Sequence, residues 1–257
     1  MTDTNIAQFR DKGYIVLESC TPPALLEQFE RELVQLANSE TFDGFAEPGA
    51  GPEERFLAAF RRGGHFRSVL YSMIQTLPSL REIGNTLMTL PAIAALLKER
   101  DFILPGYSQS MRVDIPDEET FMLPPHQDYA GMRSKKAIRV WLPLRDVGPG
   151  LGSMRVYDGS HAGGVIDHDA GSAKNPAIPP EKLKAFPAHE VTAPGGTGVV
   201  FDMMTVHEST ANRSDRIKFI LTFTIQDLAT LANPDDPDDK VGQYFNLHRA
   251  RTAARAS

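Results

Sequence analysis

Several things are scarce in this chain, and each scarcity excludes a class of protein. There is one cysteine, Cys20, so no internal disulfide can form. The first residues, Met1 to Ile6, hold no basic stretch leading into an apolar one, and no later run approaches the roughly eighteen apolar residues that a membrane span needs. A reducing cytoplasm is the expected location. Positive charge is not in excess: 27 lysines and arginines against 33 aspartates and glutamates leave a net charge of -6, the wrong sign for a general nucleic-acid binder. The expected partner is therefore a small molecule, with neither nucleic acid nor membrane.

What is present is ordinary in bulk and informative in order. Hydrophobic residues at 41% and charged residues at 23% suit a globular protein, and 257 residues without an internal repeat suit a single domain, 1-257. Within it, 1-105 reads as a mostly helical support layer, 106-227 as a β core and 228-257 as a C-terminal tail. Residues 9-17 predict a short helix, a stop at Gly13 and a strand. Thr21 before Pro22 and Pro23 predicts a capped helix with Leu25, Leu26, Phe29, Leu33 and Leu36 on one stripe. Residues 53-100 read as helical, with breaks at Gly63-Gly64, Pro78 and Pro91. Beyond Pro105 the period changes. Short strands are expected at 107-115, 137-144, 152-156, 190-193, 198-201 and 217-225, a spacing that suits an antiparallel sandwich or barrel. The stretch 162-187, rich in Gly, Ala, Pro and Lys, is expected to loop over one mouth of that barrel.

Strand parity sorts the last of these segments. Ile217, Phe219, Leu221, Phe223 and Ile225 share one face and alternate with Lys218, Ile220, Thr222 and Thr224. The apolar face is expected to meet the helices. Lys218 then points into the barrel, where an unpaired charge is costly and an anionic partner is required.

His126-Gln127-Asp128 carries the chemistry. On an extended strand residues i and i+2 share a face, roughly 6 to 7 Å apart at Cα, so His126 and Asp128 can converge on one ion while Gln127 faces away. A second histidine from another strand would complete one face of an octahedron and leave the other positions open, the pattern of a non-heme iron centre that handles dioxygen. His207 is the preferred third ligand, because residues 198-201 lead a buried strand up to it and 208-216 turn the chain back. His161, which follows Tyr157-Asp-Gly-Ser, is its competitor. His65, His168, His189 and His248 sit among polar or loop residues and read as solvated.

Taken in order, a series of short segments resembles the phytanoyl-CoA dioxygenase family of Fe(II)/2-oxoglutarate-dependent oxygenases, from Phe9 to about Asp227. They are Phe9-Arg-Asp-Lys-Gly-Tyr-Ile-Val-Leu17, Met111-Arg-Val-Asp-Ile-Pro116, Pro125-His-Gln-Asp-Tyr129 and Val140-Trp-Leu-Pro-Leu144. Then come Gly152-Ser-Met-Arg-Val-Tyr-Asp-Gly-Ser-His161 and Gly195-Gly-Thr-Gly-Val-Val-Phe201, which leads to His207 and on to Arg216. The resemblance implies a mainly β protein, a double-stranded β-helix or cupin-like jelly roll packed against N-terminal helices. It implies Fe(II) held by His126, Asp128 and His207, with 2-oxoglutarate as cosubstrate and O2 as oxidant. The implied reaction is hydroxylation, or another oxidation, of a small metabolite with release of succinate and CO2. Asp128 argues against halogenation, since halogenating relatives lack that carboxylate.

The resemblance also implies that a basic residue on the last core strand meets the far carboxylate of the cosubstrate, with Ser209 assisting. Here the chain departs from the pattern: Lys218 stands where the family usually has arginine, which keeps the charge and loses the two-pronged geometry. Arg139, sharing a strand face with Trp141, is the candidate to compensate, and Gln109 is a candidate hydrogen-bond donor to the cosubstrate. Tyr129, Met132 and Arg133 follow the metal motif and are candidates for lining a substrate pocket. Basic clusters at 61-67 and 133-136 could receive an acidic metabolite or simply form a solvated face. Two alternatives stay open: a cupin-like metalloenzyme that does not use 2-oxoglutarate, favoured by the Lys218 departure, and a non-catalytic jelly-roll ligand-binding protein, disfavoured by the His-Asp-His set.

Overall fold

In the computed structural model the described residues are 3-44, 46-97, 102-103, 109-129, 132, 134-167, 177-233 and 235-239. The helical layer is punctuated by proline. Proline opens α2 (Pro23–Ala37), α3 (Pro52–Arg61), α5 (Pro78–Met88) and α6 (Pro91–Leu96), in the first turn where its missing N–H is not needed. With α1 (Asp3–Lys12) and α4 (Gly64–Ile74), the breaks fall where the sequence places them. Thr21 is not the cap of α2: the N-cap position is Pro22, with no side-chain cap bond, and proline geometry sets the first turn. Gly13 separates α1 from β1 (Tyr14–Leu17) at φ +86°, and a Cβ there would come within 2.5 Å of His161 Nδ1 and Thr205 Oγ1.

Two antiparallel sheets follow. The larger runs β1-β7-β4-β9-β2, with β3 also paired to β9. Its further strands are β2 (Phe102–Ile103), β3 (Ser110–Asp114), β4 (Ala137–Pro143), β7 (Gly198–Asp202) and β9 (Lys218–Asp227). The smaller sheet runs β6-β5-β8, from β5 (Met154–Tyr157), β6 (Ala188–Glu190) and β8 (His207–Ser209). Together they form the jelly roll. Against the sequence reading, β5 and β9 shift by one or two residues, β2 is additional, and three other strands differ more. β3 begins at Ser110, and Tyr107 lies outside the described residues. β6 lies earlier than 190-193, whose last residue, Ala193, forms an isolated bridge with Val147. β8, at three residues, is too short to show a period.

The parity of β9 divides the interior. Phe219, Leu221, Phe223 and Ile225 pack with Phe29, Leu33, Phe56, Leu80 and Ile83 of the helices. Ile220 joins Trp141, Val199 and Phe201 against Met154, Val156 and Val191 from the small-sheet side. Each large apolar side chain so buried contributes about 1.5–3 kcal/mol, and truncating Phe223 to alanine would cost about 3–5 kcal/mol. A short helix, α7 (Pro180–Leu183), lies in the stretch expected to be loop. Among the described residues, no helix is long and apolar enough to cross a membrane.

Candidate metal centre

One rung of backbone hydrogen bonds builds the centre. His126 and His207 form an isolated antiparallel bridge, each N–H donating to the other's carbonyl at 3.0 Å, which lays the His126 segment along the edge of β8. Two residues on, the Asp128 N–H donates to the Met203 carbonyl at 2.9 Å. The three side chains thus offer ligand atoms that all lie within 4.8 Å of one another. His126 Nε2 is 3.5 Å from Asp128 Oδ1, and His207 Nε2 is 3.6 Å from Asp128 Oδ2. The Nδ1 atoms lie against backbone carbonyls, His126 on Pro124 at 2.7 Å and His207 on Thr205 at 3.0 Å. An Nδ1–H donated there leaves each Nε2 lone pair for a metal. Two imidazole nitrogens and one carboxylate oxygen are the donor set of a two-histidine, one-carboxylate iron site, and the residues fit ferrous iron.

Electrostatics keep His207 and Asp128 in their ligand forms. Burial, with the neighbouring His126, pushes the His207 pKa down to about 4, so its ring is neutral at physiological pH. Burial would raise the Asp128 carboxyl, but Arg139 and the two imidazoles outweigh it and hold the group well below the usual carboxylate range. Arg139 does this from β4: Nε donates to Asp128 Oδ2 at 2.8 Å and Nη1 to Thr224 Oγ1 at 2.5 Å.

Gln127 faces away, as strand parity requires. Its amide donates to the carbonyls of Gly164 at 2.8 Å and Met204 at 2.6 Å and accepts from the Ile166 N–H at 2.8 Å. The segment after Gly163 is thereby tied to the metal motif from behind.

A cavity of about 370 Å³, within the usual range for small-molecule sites, opens on these groups. His126, Asp128, His207 and Arg139 line it together with Arg112, Ser209, Lys218 and Thr222, while Trp141, Met154 and Phe201 supply apolar wall and Tyr71 of α4 and Gln75 just after that helix border it. Lys218 is 9% exposed, lies 2.5 Å from Asp114 Oδ2 and donates to the Gly152 carbonyl. Asp114 faces it in the β3–β9 register and also accepts from Arg112 Nε at 2.7 Å. Burial lowers the Lys218 pKa, against the opposing pull of Asp114.

The phytanoyl-CoA dioxygenase family model matches residues 9–220. The chain belongs to the phytanoyl-CoA dioxygenase family. It is an Fe(II)/2-oxoglutarate-dependent dioxygenase, with O2 as the oxidant. Similar curated proteins include phytanoyl-CoA dioxygenase domain-containing protein 1 of Danio rerio, 24% identical over 88% of this chain and 90% of its own length. Another is the L-proline trans-4-hydroxylase of Streptomyces griseoviridis, 27% identical over 61% of this chain and 68% of its own. Among solved structures, EvdO2 from Micromonospora carbonacea var. aurantiaca shares the fold at a TM-score of 0.61, with 17% identity over 93% of this chain and 95% of that one. The non-heme alpha ketoglutarate dependent epimerase SnoN from nogalamycin biosynthesis does so at 0.55, with 18% identity over 88% and 82%.

Within this dioxygenase, the structure gathers some expected residues and separates others. The triad, Lys218, Ser209 and Arg139 line one cavity. Gln109 is buried just ahead of β3 and is not among the described residues that line it. Tyr129 and Met132 pack with Ala137 and Met203 in a separate apolar cluster, also away from the cavity wall. Arg133 lies outside the described residues. His161 is turned elsewhere, its Nε2 against the Arg10 carbonyl at 3.2 Å. Arg67, from the first basic cluster, is 3% exposed, forked onto Glu118 at 2.8 and 2.6 Å and stacked on Phe121 at 4.1 Å, so it is a strut and not a receiver of acids. Lys135 is likewise engaged, by Asp236 and Asp239. Sequence reasoning missed Arg112 and Asp114. Their signal was the alternation Ser110, Arg112, Asp114, which gains meaning once β3 is paired with β9.

Proposed function

We propose that this dioxygenase hydroxylates an unactivated C–H bond of a small metabolite in the cytoplasm, with 2-oxoglutarate converted to succinate and CO2. The observation that carries the reading is the preformed triad opening on a walled cavity that also contains a buried lysine. Ferrous iron bound there, with 2-oxoglutarate and dioxygen, supplies the oxidising chemistry that replaces hydrogen by hydroxyl. His126, Asp128 and His207 hold the ion. Lys218 and Ser209 receive the far carboxylate of the cosubstrate, and Asp114 holds the lysine ready while the site is empty of it. Arg139 fixes one oxygen of Asp128, so that the carboxylate keeps one orientation. Trp141, Met154 and Phe201 form a dry wall that keeps bulk water from the reacting groups.

The test is spectroscopic and then chemical. Anaerobic addition of 2-oxoglutarate to the Fe(II)-loaded protein should produce a visible charge-transfer band, and admission of O2 should yield succinate. Absence of the band in protein shown to contain iron would defeat the reading.

A further inference from the structure

We infer that the substrate is an anion, a carboxylate or an acid of equal charge, and that Arg139 receives its charged group; this rests on the proposed use of the cavity by cosubstrate and substrate together. Arg112, Arg139, Lys218, Asp128 and Glu208 all face the chamber, and Asp114 pairs with both Arg112 and Lys218. Glu208 is held by the Tyr157 hydroxyl and by Arg155, which Glu190 shares. The total is balanced, so the sign of the substrate is set by whichever cation has a donor left unused, because an unmatched interior charge is costly.

Position identifies the cation with capacity to spare. Arg112 gives Nε to Asp114 and Nη2 to the Phe121 carbonyl. Lys218 is matched to Asp114 and, in use, to the cosubstrate. Arg139 stands opposite Thr224 while Lys218 stands opposite Asp114, six residues apart on β9 and about 20 Å at Cα for a rise of about 3.4 Å per residue. The two cations therefore serve separate anions. Arg139 uses Nε on Asp128 and Nη1 on Thr224, and among the described residues its Nη2 has no hydrogen-bond partner, although the side chain is 26% exposed in the chamber wall. A guanidinium with one edge fixed and one nitrogen open, beside a metal ligand, is placed to orient a carboxylate next to the reacting centre.

The test is equilibrium binding. The full chain, saturated with Mn(II) and 2-oxoglutarate, is titrated calorimetrically with a panel of small carboxylic acids and their matched primary amides. At least one acid should bind about tenfold tighter than its amide, the worth of a charge-assisted hydrogen bond, and Arg139→Gln should reduce that preference to about twofold or less. If Arg139→Gln fails to retain Mn(II), Thr224→Val is used, which frees one edge of the guanidinium and should lower the preference about threefold. No acid preference in wild type, or a preference unchanged in the variant, overturns the inference. Loss of 2-oxoglutarate binding in Arg139→Gln also overturns it, by assigning Arg139 to the cosubstrate. Wild type that binds no 2-oxoglutarate defeats the functional reading beneath it.

Discussion

Lys218→Met probes the buried pair on which cosubstrate binding depends. Methionine keeps the unbranched stem and removes the ammonium. Lys218 is 9% exposed and 2.5 Å from Asp114, so the change leaves Asp114 with Arg112 alone, at 2.7 Å. Stranding one partner of a buried pair costs about 3–5 kcal/mol. Here Arg112 still serves one carboxylate oxygen, and burial outweighs the pull of Asp114 on the Lys218 ammonium, lowering its pKa. A loss of about 2–3 kcal/mol is expected, seen as a lower urea midpoint at unchanged slope. Adding Asp114→Asn removes the stranded charge and should restore about half of the loss. In the anaerobic charge-transfer titration, the loss of a charge-assisted contact worth about 1.5–3 kcal/mol should weaken 2-oxoglutarate by about ten- to a hundredfold. A single variant within about 0.5 kcal/mol of wild type, with no benefit from Asp114→Asn, would refute the pair. Unchanged cosubstrate affinity would refute the place given to Lys218.

Other outcomes follow from the same contacts. Gln127→Leu strands two carbonyls and one N–H behind the metal motif and should cost about 3 kcal/mol or more, with faster proteolysis after Gly163; an unchanged melt and digestion pattern would count against it. Gly152→Ala places a Cβ 2.9 Å from the Asn212 Cβ and 3.1 Å from Lys218 Nζ at φ +71°, so a loss of about 1–3 kcal/mol and weaker 2-oxoglutarate binding are expected, measured by denaturation and titration. In metal-free protein, His207 resists protonation down to about 4 whereas the unfolded chain takes up that proton below 6.5. Its contribution is complete above 6.5 and is lost as pH falls towards 4, by about 3 kcal/mol; a flat stability profile over that window in chelator-treated protein would contradict it. Asp128→Asn should abolish tight Fe(II) binding by removing the charged ligand, read as metal content after desalting.

The helical layer was legible because its punctuation is local: Gly63, Pro78 and Pro91 act on their own neighbours. The face assignment of β9 was legible for the same reason, since alternation needs no partner strand. The triad followed from i, i+2 spacing plus one distant histidine. Lys218 and Arg139 could be named as cavity cations but not sorted, because what neutralises each is set by register. Asp114 lies 104 positions before Lys218, and only the β3–β9 pairing brings them together. Tyr129 and Met132 misled for the complementary reason: nearness in sequence to the metal motif says little once Asp128 ends the segment that follows the edge of β8 and the chain turns into another cluster.

The backbone rung between His126 and His207 has a consequence for which metal the protein carries. The donors converge through hydrogen bonds that need no ion, so the protein fixes three ligand positions and leaves the others to exogenous ligands. Affinity for divalent first-row ions at such donors rises from manganese through iron and cobalt to nickel and copper. Iron sits low in that series. The donor set therefore does not by itself favour iron, and protein produced where nickel or copper is abundant is expected to carry some of that ion until a chelator strips it and iron is added back.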